Sequence, residues 1–231
     1  MKSVCALIAA YHEERHVAEV VRGAARFASP VFVVDDGSTD RTAAEARSAG
    51  ATVIRHERNL GKGCAIRTGL ARILEGSSSH VLMLDADLQH DPDEIPKLID
   101  RAERGAGDFV LAERDFSKEA MPAPRFYSNV IGSRILSHFV GAPIADSQSG
   151  FRLIRTDLLR QVRLTGTGYE IETEMIIKLV RAGARIDRVT VRRLDYQDAR
   201  SKMRPFRDTF RTCMLALAYR YFDRQAGEVQ R

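Results

Sequence analysis

The 231-residue chain predicts an α/β fold in which a mostly parallel sheet is flanked by helices. Its first half alternates short apolar runs with longer stretches whose hydrophobic residues recur at helical spacing. Acidic clusters follow two of the apolar runs, and basic residues concentrate towards the C-terminus. These observations indicate a ligand site at one edge of the sheet and a separate surface that attracts anions.

The elements of the first half follow from the period of the hydrophobic residues. Strands are predicted at residues 4–10, 31–35, 52–55, 81–84 and 109–112. Helices are predicted between them at residues 17–27, 41–49, 62–74 and 92–103. Two of the helix starts are marked, one by Ser38-Thr39-Asp40 and one by Asp91-Pro92. Alternation of this kind is typical of βαβ units and of a mostly parallel sheet.

The second half departs from this rhythm. Residues 116–125 contain Pro122 and Pro124 and predict a loop. Beyond it we expect helices at 126–139 and 171–182, and strands at 151–154 and 186–191. A basic loop at 200–205 precedes a long amphipathic helix at 206–222. The chain shows no internal repeat and no low-complexity linker, so one domain with a C-terminal appendage is expected.

Composition narrows the class of protein. The chain is 44% hydrophobic and 29% charged, which is typical of a soluble globular protein. No run approaches the roughly 18 uncharged apolar residues of a membrane span, and the N-terminus does not resemble a signal peptide. The three cysteines, Cys5, Cys64 and Cys213, lack zinc-ligand spacing and suit a reducing compartment. A cytoplasmic protein is therefore expected.

The charge is unevenly distributed along the chain. Residues 181–211 hold ten Lys or Arg against four acidic residues, whereas residues 85–100 hold six acidic residues against Lys97 alone. The sequence pI of about 9.3 would also suit nucleic-acid binding. However, only 7% of residues are aromatic, and no stacking platform interleaves with the arginines. We therefore expect no nucleic-acid partner.

Two acidic clusters lie where predicted strands end. One contains Asp35 and Asp36, and the other contains Asp85 and Asp87. Ligands of open parallel sheets bind beyond the carboxyl ends of the strands. Carboxylates suit Mg²⁺ or Mn²⁺, and Gln89 could add an amide oxygen. The alternative is that these residues only cap turns and helices, but two clusters at successive strand ends favour a metal site.

The order of the motifs resembles that of family 2 glycosyltransferases. The shared motifs are Tyr11-His12-Glu13, Val34-Asp35-Asp36-Gly37-Ser38, Asn59-Leu60-Gly61-Lys62-Gly63 and the DXD-containing Asp85-Ala86-Asp87-Leu88-Gln89-His90. Three later motifs are similar to the branch that makes dolichyl- or polyprenyl-phosphate sugars, which includes dolichol-phosphate mannose synthase. These are Asp146-Ser147-Gln148-Ser149-Gly150-Phe151-Arg152, Gly168-Tyr169-Glu170 and Ser201-Lys202-Met203.

The resemblance implies a GT-A fold, a Rossmann-like and mostly parallel sheet flanked by helices, over residues 1–203. Residues 1–112 would form the half that binds a nucleotide-sugar, and residues 113–203 the acceptor half. Residues 204–231 would form a C-terminal amphipathic helix and tail.

The resemblance also implies residue roles. Asp85, Asp87 and Gln89 would hold Mg²⁺ or Mn²⁺ against the diphosphate of a UDP- or GDP-sugar. The implied catalytic residues are Asp87 and two arginines near the acceptor phosphate, Arg114 and Arg125. The implied donor-binding residues are Tyr11, Glu13, Asp35, Asp36, Lys62, Asp85, Arg200 and Lys202. Among these, Asp35 would contact the base or ribose. Arg200 and Lys202 would belong to a basic loop that closes over the phosphates.

Several charged residues keep two interpretations. Arg152 either pairs with Asp146 or contacts a phosphate. The acids Glu170, Glu172 and Glu174 suit a helix start whatever their function, although one of them could face the acceptor. His90 is assigned a local hydrogen-bonding role rather than that of a general base. Residues 61–63 do not have the spacing of a P-loop.

The predicted function is inverting transfer of a sugar from a UDP- or GDP-sugar to a polyprenyl phosphate. A lipid monophosphate is already anionic near neutral pH, so a strong general base is unnecessary. A saccharide or small-molecule acceptor remains the main alternative. An inactive nucleotide-sugar-binding protein is less favoured because both Asp85 and Asp87 are present. A nucleotidyltransferase is excluded because residues 9–13 contain no glycine.

A polyprenyl phosphate does not leave the bilayer readily, so we expect peripheral contact with anionic lipid on the cytoplasmic face of the membrane. The predicted helix 206–222 has Phe206, Phe210, Met214 and Leu217 on one side and arginines beside them. Docking of this helix on the protein's own core is the alternative. The possibility of a homo-oligomer stays open.

Overall fold

A computed structural model of the protein describes residues 3–114, 123–192 and 194. Its sheet has seven strands in the order β3-β2-β1-β4-β6-β5-β7. The strands are β1 (Val4–Ala10), β2 (Val31–Asp35), β3 (Thr52–Arg55), β4 (His80–Asp85), β5 (Phe109–Arg114), β6 (Arg152–Arg155) and β7 (Ile186–Val191). Strand β6 runs antiparallel to β4 and β5, and the other neighbouring strands are parallel. The predicted α/β fold with a mostly parallel sheet is confirmed.

Seven α-helices accompany these strands in the described residues. They are α1 (Val17–Ala25), α2 (Thr42–Ser48), α3 (Lys62–Leu74), α4 (Ile95–Glu103), α5 (Ala123–Val140), α6 (Thr156–Arg160) and α7 (Ile171–Arg181). A 3₁₀ turn, Pro92–Glu94, precedes α4, and the Asp91 carboxylate accepts the N–H of Asp93 at 2.9 Å. Asp91 therefore caps this turn, as the sequence predicts. None of the helices in the described ranges is long and apolar enough to cross a bilayer.

The differences from the predicted bounds have local causes. Strands β4 and β5 extend to Asp85 and Arg114, because charged residues at a strand end are not recognised by an apolar pattern. Helix α5 begins at Ala123, so the predicted loop is wrong at residues 123–125. Pro124 lies in the first turn of α5, where a missing N–H costs nothing. Helix α6 was missed because five residues are too few to show a helical period. The predicted basic loop 200–205 and helix 206–222 lie outside the described residues.

The sheet is covered on both faces. On one face, residues such as Leu7 and Val34 pack with Ile66 of α3 and Met175 of α7. On the other, Ile8 and its neighbours pack with α1 and α4. Strands buried on both faces read as continuous apolar runs, which is why the strands of the first half were readily predicted.

Helix α3 lies unusually close to β1 at Gly69. A Cβ atom on Gly69 would lie 2.2 Å from Leu7 Cδ1 and 3.0 Å from Val34 Cγ2. We predict that Gly69→Ala destabilises the fold by about 1–3 kcal/mol through overpacking, and lowers the Tm by roughly 2–4 °C for each kcal/mol. Thermal unfolding followed by circular dichroism measures this change.

The matched control is Gly132→Ala in α5, where the nearest atom to an added Cβ is Ser147 Oγ at 4.0 Å. This variant should keep its Tm or gain about 0.5–1 kcal/mol from the higher helix propensity of alanine. Equal Tm values for the two variants would contradict the close approach of α3 to β1.

Candidate functional site

The carboxyl ends of the parallel strands meet at one edge of the sheet. Registers place Ala10 of β1 opposite Asp35 and Ala9 opposite Asp85, so the two acidic clusters flank β1. Because β6 is antiparallel, its first residues arrive at the same edge. Gly150 packs directly on Asp85, since a Cβ atom at this position would lie 2.4 Å from Asp85 Oδ2. The topology thus joins the two halves of the chain at the acidic triplet.

Asp85 is held by a buried lysine. Lys62 Nζ lies 2.5 Å from Asp85 Oδ1 and 2.9 Å from Glu172 Oε1. Burial opposes the charged forms of both members of the Asp85–Lys62 pair, but their mutual attraction outweighs it. The pKa of Asp85 is therefore lowered, and the pKa of Lys62 is raised. Both groups are ionised over the whole neutral range.

Asp87, two residues further on, has the opposite character. Burial, and then repulsion from Asp85, raise the pKa of Asp87 to about 6. Its Oδ1 accepts the N–H of Gln89 at 3.1 Å, and Leu88 between them adopts a positive φ of 58°. The attraction of Lys62 offsets the effects of burial and of Asp85 only in part.

This donor set fits a hard divalent cation. Carboxylate and amide oxygens suit Mg²⁺ and Mn²⁺, which keep several water or phosphate ligands. The described residues include no group of three or more His, Cys, Asp or Glu placed to enclose a metal ion. The protein would supply Asp87 as a ligand, with Asp85 and Gln89 as further candidates, and the substrate or water would supply the rest.

Asp35 and Asp36 organise the backbone around the site. The fully buried Asp35 accepts the N–H of Ser38 at 3.0 Å, and its Oδ2 lies 3.2 Å from Arg55 Nε. The Asp36 carboxylate accepts the N–H groups of Leu60 and Gly61 at 2.9 and 2.8 Å. Its Oδ1 also lies 2.7 Å from His56 Nδ1. Asp36 thereby fixes the loop that leads into α3 and to Lys62.

The glycine-rich start of α3 is not a phosphate cradle. The N–H of Gly63 donates to the carbonyl of Thr167 at 2.9 Å. Gly61 has a φ of 100°, and a Cβ there would lie 2.4 Å from the same carbonyl oxygen. The segment around Thr167 is held in turn by Glu170, which accepts the N–H groups of Thr167 and Gly168 at 3.0 and 2.9 Å. These contacts agree with the lack of P-loop spacing in the sequence.

Both interpretations of Arg152 are wrong. Its side chain is fully buried, and Nη2 lies 2.9 Å from Glu172 Oε2. It also donates to the carbonyls of Ser147, Ser149 and Glu172. It therefore neither pairs with Asp146 nor reaches a bound phosphate. The pattern missed this because the two residues that meet, Arg152 and Glu172, are 20 positions apart.

Asp146 binds Arg114 instead. Arg114 Nε lies 2.7 Å from Asp146 Oδ2, and Nη2 lies 3.1 Å from Oδ1. Burial opposes the charge of Arg114, but the pairing with Asp146 outweighs it and raises its pKa. Arg114 is thus placed at the site edge, as the sequence implies, with much of its guanidinium group already engaged.

The remaining candidates fall into two groups. Tyr11 and Glu13 follow β1, and the charge of Glu13 contributes to the raised pKa of Asp87, which places it near the triplet. Tyr11 stacks on His12, with ring centroids 4.1 Å apart. The side chain of Arg125, near the start of α5, and all of Arg200 and Lys202 lie outside the described residues.

His90 and the segment after β7 adjoin the triplet. Burial, and then the charge of Arg114, lower the pKa of His90 to about 4, so it is neutral near pH 7. Its ring packs on Phe151 with the ring centroids 5.3 Å apart, but its buried Nδ1 has no hydrogen-bond partner among the described residues, so the predicted hydrogen-bonding role is not seen there. The N–H of Leu194 donates to the Gln89 carbonyl at 3.2 Å. Leu194, the last described residue, therefore lies next to Gln89, close to the triplet.

The same fold occurs in a solved structure of known chemistry. The glucosyl-3-phosphoglycerate synthase of Mycobacterium tuberculosis, in complex with Mn²⁺ and uridine-diphosphate-glucose, matches with a TM-score of 0.69. The match covers 95% of this chain and 79% of that chain at 21% sequence identity. The architecture is that of the GT-A glycosyltransferases.

The family follows from the sequence comparison. The model of "Glycosyl transferase family 2" matches residues 5–163, more than half of the chain, and the protein therefore belongs to this glycosyltransferase family. One relative is the UDP-N-acetylglucosamine–dolichyl-phosphate N-acetylglucosaminyltransferase of Methanococcus voltae, 28% identical over 94% of this chain and 97% of its own. Another is the dolichol-phosphate mannosyltransferase of Pyrococcus furiosus, 32% identical over 64% of this chain and 44% of its own. The resemblance to the polyprenyl-phosphate branch is confirmed.

The opposite environments of the two aspartates predict opposite effects on stability. The folded pKa of Asp87 is about 6, above its ordinary value of 3.8. Its ionisation therefore costs folding free energy that is absent below about pH 4 and fully present above about pH 6. Asp87→Asn should raise the Tm of the metal-free protein at about pH 7.5, and this gain should vanish at about pH 4.

Asp85→Asn should instead lower the Tm at about pH 7.5, because it leaves the buried Lys62 without one of its two carboxylates. Differential scanning calorimetry at the two pH values makes the comparison. Tm shifts of the same sign for both variants at neutral pH would refute the assignment of their environments.

Proposed function

We propose that this protein transfers a sugar from a UDP- or GDP-sugar to a polyprenyl phosphate, with inversion at the anomeric carbon and with Mg²⁺ or Mn²⁺ as cofactor. The observation that carries the proposal is the contrast between two carboxylates at the carboxyl edge of the sheet, the ion-paired Asp85 and Asp87 with its raised pKa. The two relatives described above are named for transfer to dolichyl phosphate, which supports a polyprenyl-type acceptor. The Mn²⁺ and UDP-glucose named for the solved structure support the donor side.

The donor half supplies binding and orientation. A bound cation would neutralise the negative charge that develops on the departing nucleoside diphosphate. Asp87 would hold the cation, with Asp85 and Gln89 assisting. The buried Asp35 at the end of β2 keeps the following turn in place through Ser38, where the base and ribose would lie. Tyr11 and Glu13 would line the same side of the site.

The acceptor half would bind and position a phosphate monoester. A phosphate monoester is an anionic nucleophile near neutral pH, so this chain needs cations to position it rather than a base to activate it. Arg125, in the first turn of α5, would be one such cation, as the family resemblance implies. Arg114 would supply a second positive charge, already oriented by Asp146. Arg200 and Lys202 would close over the donor phosphates.

The membrane would be the place of reaction. The acceptor lipid stays in the bilayer, and the predicted helix 206–222 combines an apolar side with flanking arginines. We propose peripheral binding to anionic lipid on the cytoplasmic face. A small-molecule phosphate acceptor is the second candidate, because the matched solved structure is named a glucosyl-3-phosphoglycerate synthase.

A donor-by-acceptor panel tests the proposal. The full chain is incubated with UDP- and GDP-sugars plus Mn²⁺, and with polyprenyl phosphate, 3-phosphoglycerate or free saccharides. We expect glycolipid from one donor class, and none when a chelator is in excess. A product from 3-phosphoglycerate or a saccharide but not from the lipid would replace the proposed acceptor. Full turnover in chelator would reject the metal.

Arg125→Ala tests the acceptor half. We expect it to lower kcat/KM for polyprenyl phosphate by at least about tenfold, the effect of losing one charge-assisted phosphate contact of about 1.5–3 kcal/mol. The KM for the nucleotide-sugar should stay unchanged. Steady-state kinetics with each substrate varied in turn provides the measurement.

The control is Arg134→Ala, which removes an exposed arginine from the same helix. It should keep both parameters near those of the wild type. If Arg125→Ala raises the KM for the donor and leaves lipid transfer normal at saturation, Arg125 belongs to the donor site.

A further inference from the structure

Four side chains of alternating charge form a continuous series of ion pairs that ends at Asp85 of the acidic triplet. Arg152 contacts Glu172, Glu172 contacts Lys62, and Lys62 contacts Asp85, each at 2.5–2.9 Å. The side chains become more exposed along this order, from 0% for Arg152 through 4% and 16% to 25% for Asp85. The chain of charges thus runs from the core of the second half to the site edge of the first.

Glu172 is the link between the two halves. It lies in α7, whereas Lys62 begins α3 and Asp85 ends β4. One of its carboxylate oxygens faces the Lys62 ammonium, and the other faces the Arg152 guanidinium. The carboxylate is almost closed to solvent, with 4% exposure, so its position serves these two neighbouring cations.

Sharing of the Lys62 ammonium determines how much negative charge Asp85 keeps. In the wild-type arrangement the ammonium is divided between two carboxylates, at 2.5 and 2.9 Å. Without the charge of Glu172, the ammonium would be attracted by Asp85 alone and would neutralise it more completely. A cation at the triplet would then face less negative charge.

We propose that Glu172 is a positioning residue for the cation site, which acts by holding the Lys62 ammonium away from full neutralisation of Asp85. This inference rests on the proposed metal-dependent function. A residue of α7, in the proposed acceptor half, would thus change the cation affinity of the acidic triplet in the proposed donor half. Partners that orient metal-binding groups typically change metal affinity by about 10–100-fold when they are removed.

The test is Mn²⁺ binding to the full, metal-free protein in the absence of any sugar donor, measured by the electron paramagnetic resonance signal of free Mn²⁺. Glu172→Gln should raise the Kd for Mn²⁺ by roughly tenfold or more. The matched control is Glu170→Gln, which removes the same charge from the same end of α7. Glu170 Oε1 accepts the backbone N–H groups of Thr167 and Gly168, and the amide oxygen of Gln can accept both, so this replacement should leave the Kd within about twofold of wild type.

A double-mutant cycle shows whether Glu172 acts through Lys62. In the Lys62→Met background, adding Glu172→Gln should change the Kd by less than about twofold, because the link is already broken. An effect as large as that in the wild-type background would overturn the proposal, as would equal Kd values for Glu172→Gln and Glu170→Gln. If Glu172→Gln does not fold, Glu172→Asp replaces it, and its shorter side chain should also raise the Kd.

The two proposals fail in different ways. Absence of Mn²⁺ binding by the wild type would reject the metal site itself and this inference with it. Binding by the wild type with no change in Glu172→Gln would reject only the role of Glu172.

Discussion

The ammonium group of Lys62 is the contact on which the geometry of the site depends. It joins the end of β4 to α7 through Asp85 and Glu172. Burying these charges is costly, and the cost is offset only when all partners are in place. Much of the surrounding structure fixes that geometry. Asp36 holds the loop before α3, the Thr167 carbonyl holds its first turn, and Gly150 leaves room for the Asp85 carboxylate.

The direction of the antiparallel strand β6 determines which residues surround this contact. Had β6 been parallel, its first residues would lie at the opposite edge, away from the acidic triplet. Its actual direction brings residues 146–150 beside Asp85 and lets Asp146 orient Arg114. Residues from the second half of the chain therefore lie at the same sheet edge as the acidic triplet. Within the described residues Asp87 lies outside these ion pairs, and we propose that its carboxylate receives an incoming cation.

Much of this arrangement could be predicted from the sequence, because it depends on local patterns. The strands and helices of the first half follow the hydrophobic period, and the two acidic clusters lie at the strand ends where they were expected. The unpredicted part depends on which charges meet across long separations. Lys62 and Glu172 are 110 positions apart, and nothing in the residues around either one indicates the other.

The same limit explains the residues whose surroundings differ from expectation. The sequence offers two roles for Arg152, a pair with the nearby Asp146 or contact with a phosphate. In the fold Asp146 pairs with Arg114, and Arg152 pairs with Glu172. Asp36 lies in a motif that the resemblance assigns to donor binding. Its carboxylate accepts backbone N–H groups, and no spacing rule identifies these partners. Helix α6 has only five residues, too few to show a helical period. Helix α5 starts earlier than predicted because a proline is tolerated in the first turn of a helix.

The central claim is that Asp87 receives a divalent cation while Lys62 stays bound to Asp85 and Glu172. Anomalous diffraction from crystals grown with Mn²⁺ and a nucleoside diphosphate tests it most directly. The account predicts an anomalous peak within bonding distance of an Asp87 carboxylate oxygen, with the Lys62 ammonium still between its two carboxylates. A peak bonded elsewhere, no peak at saturating Mn²⁺, or a Lys62 side chain that has left Glu172 would contradict it.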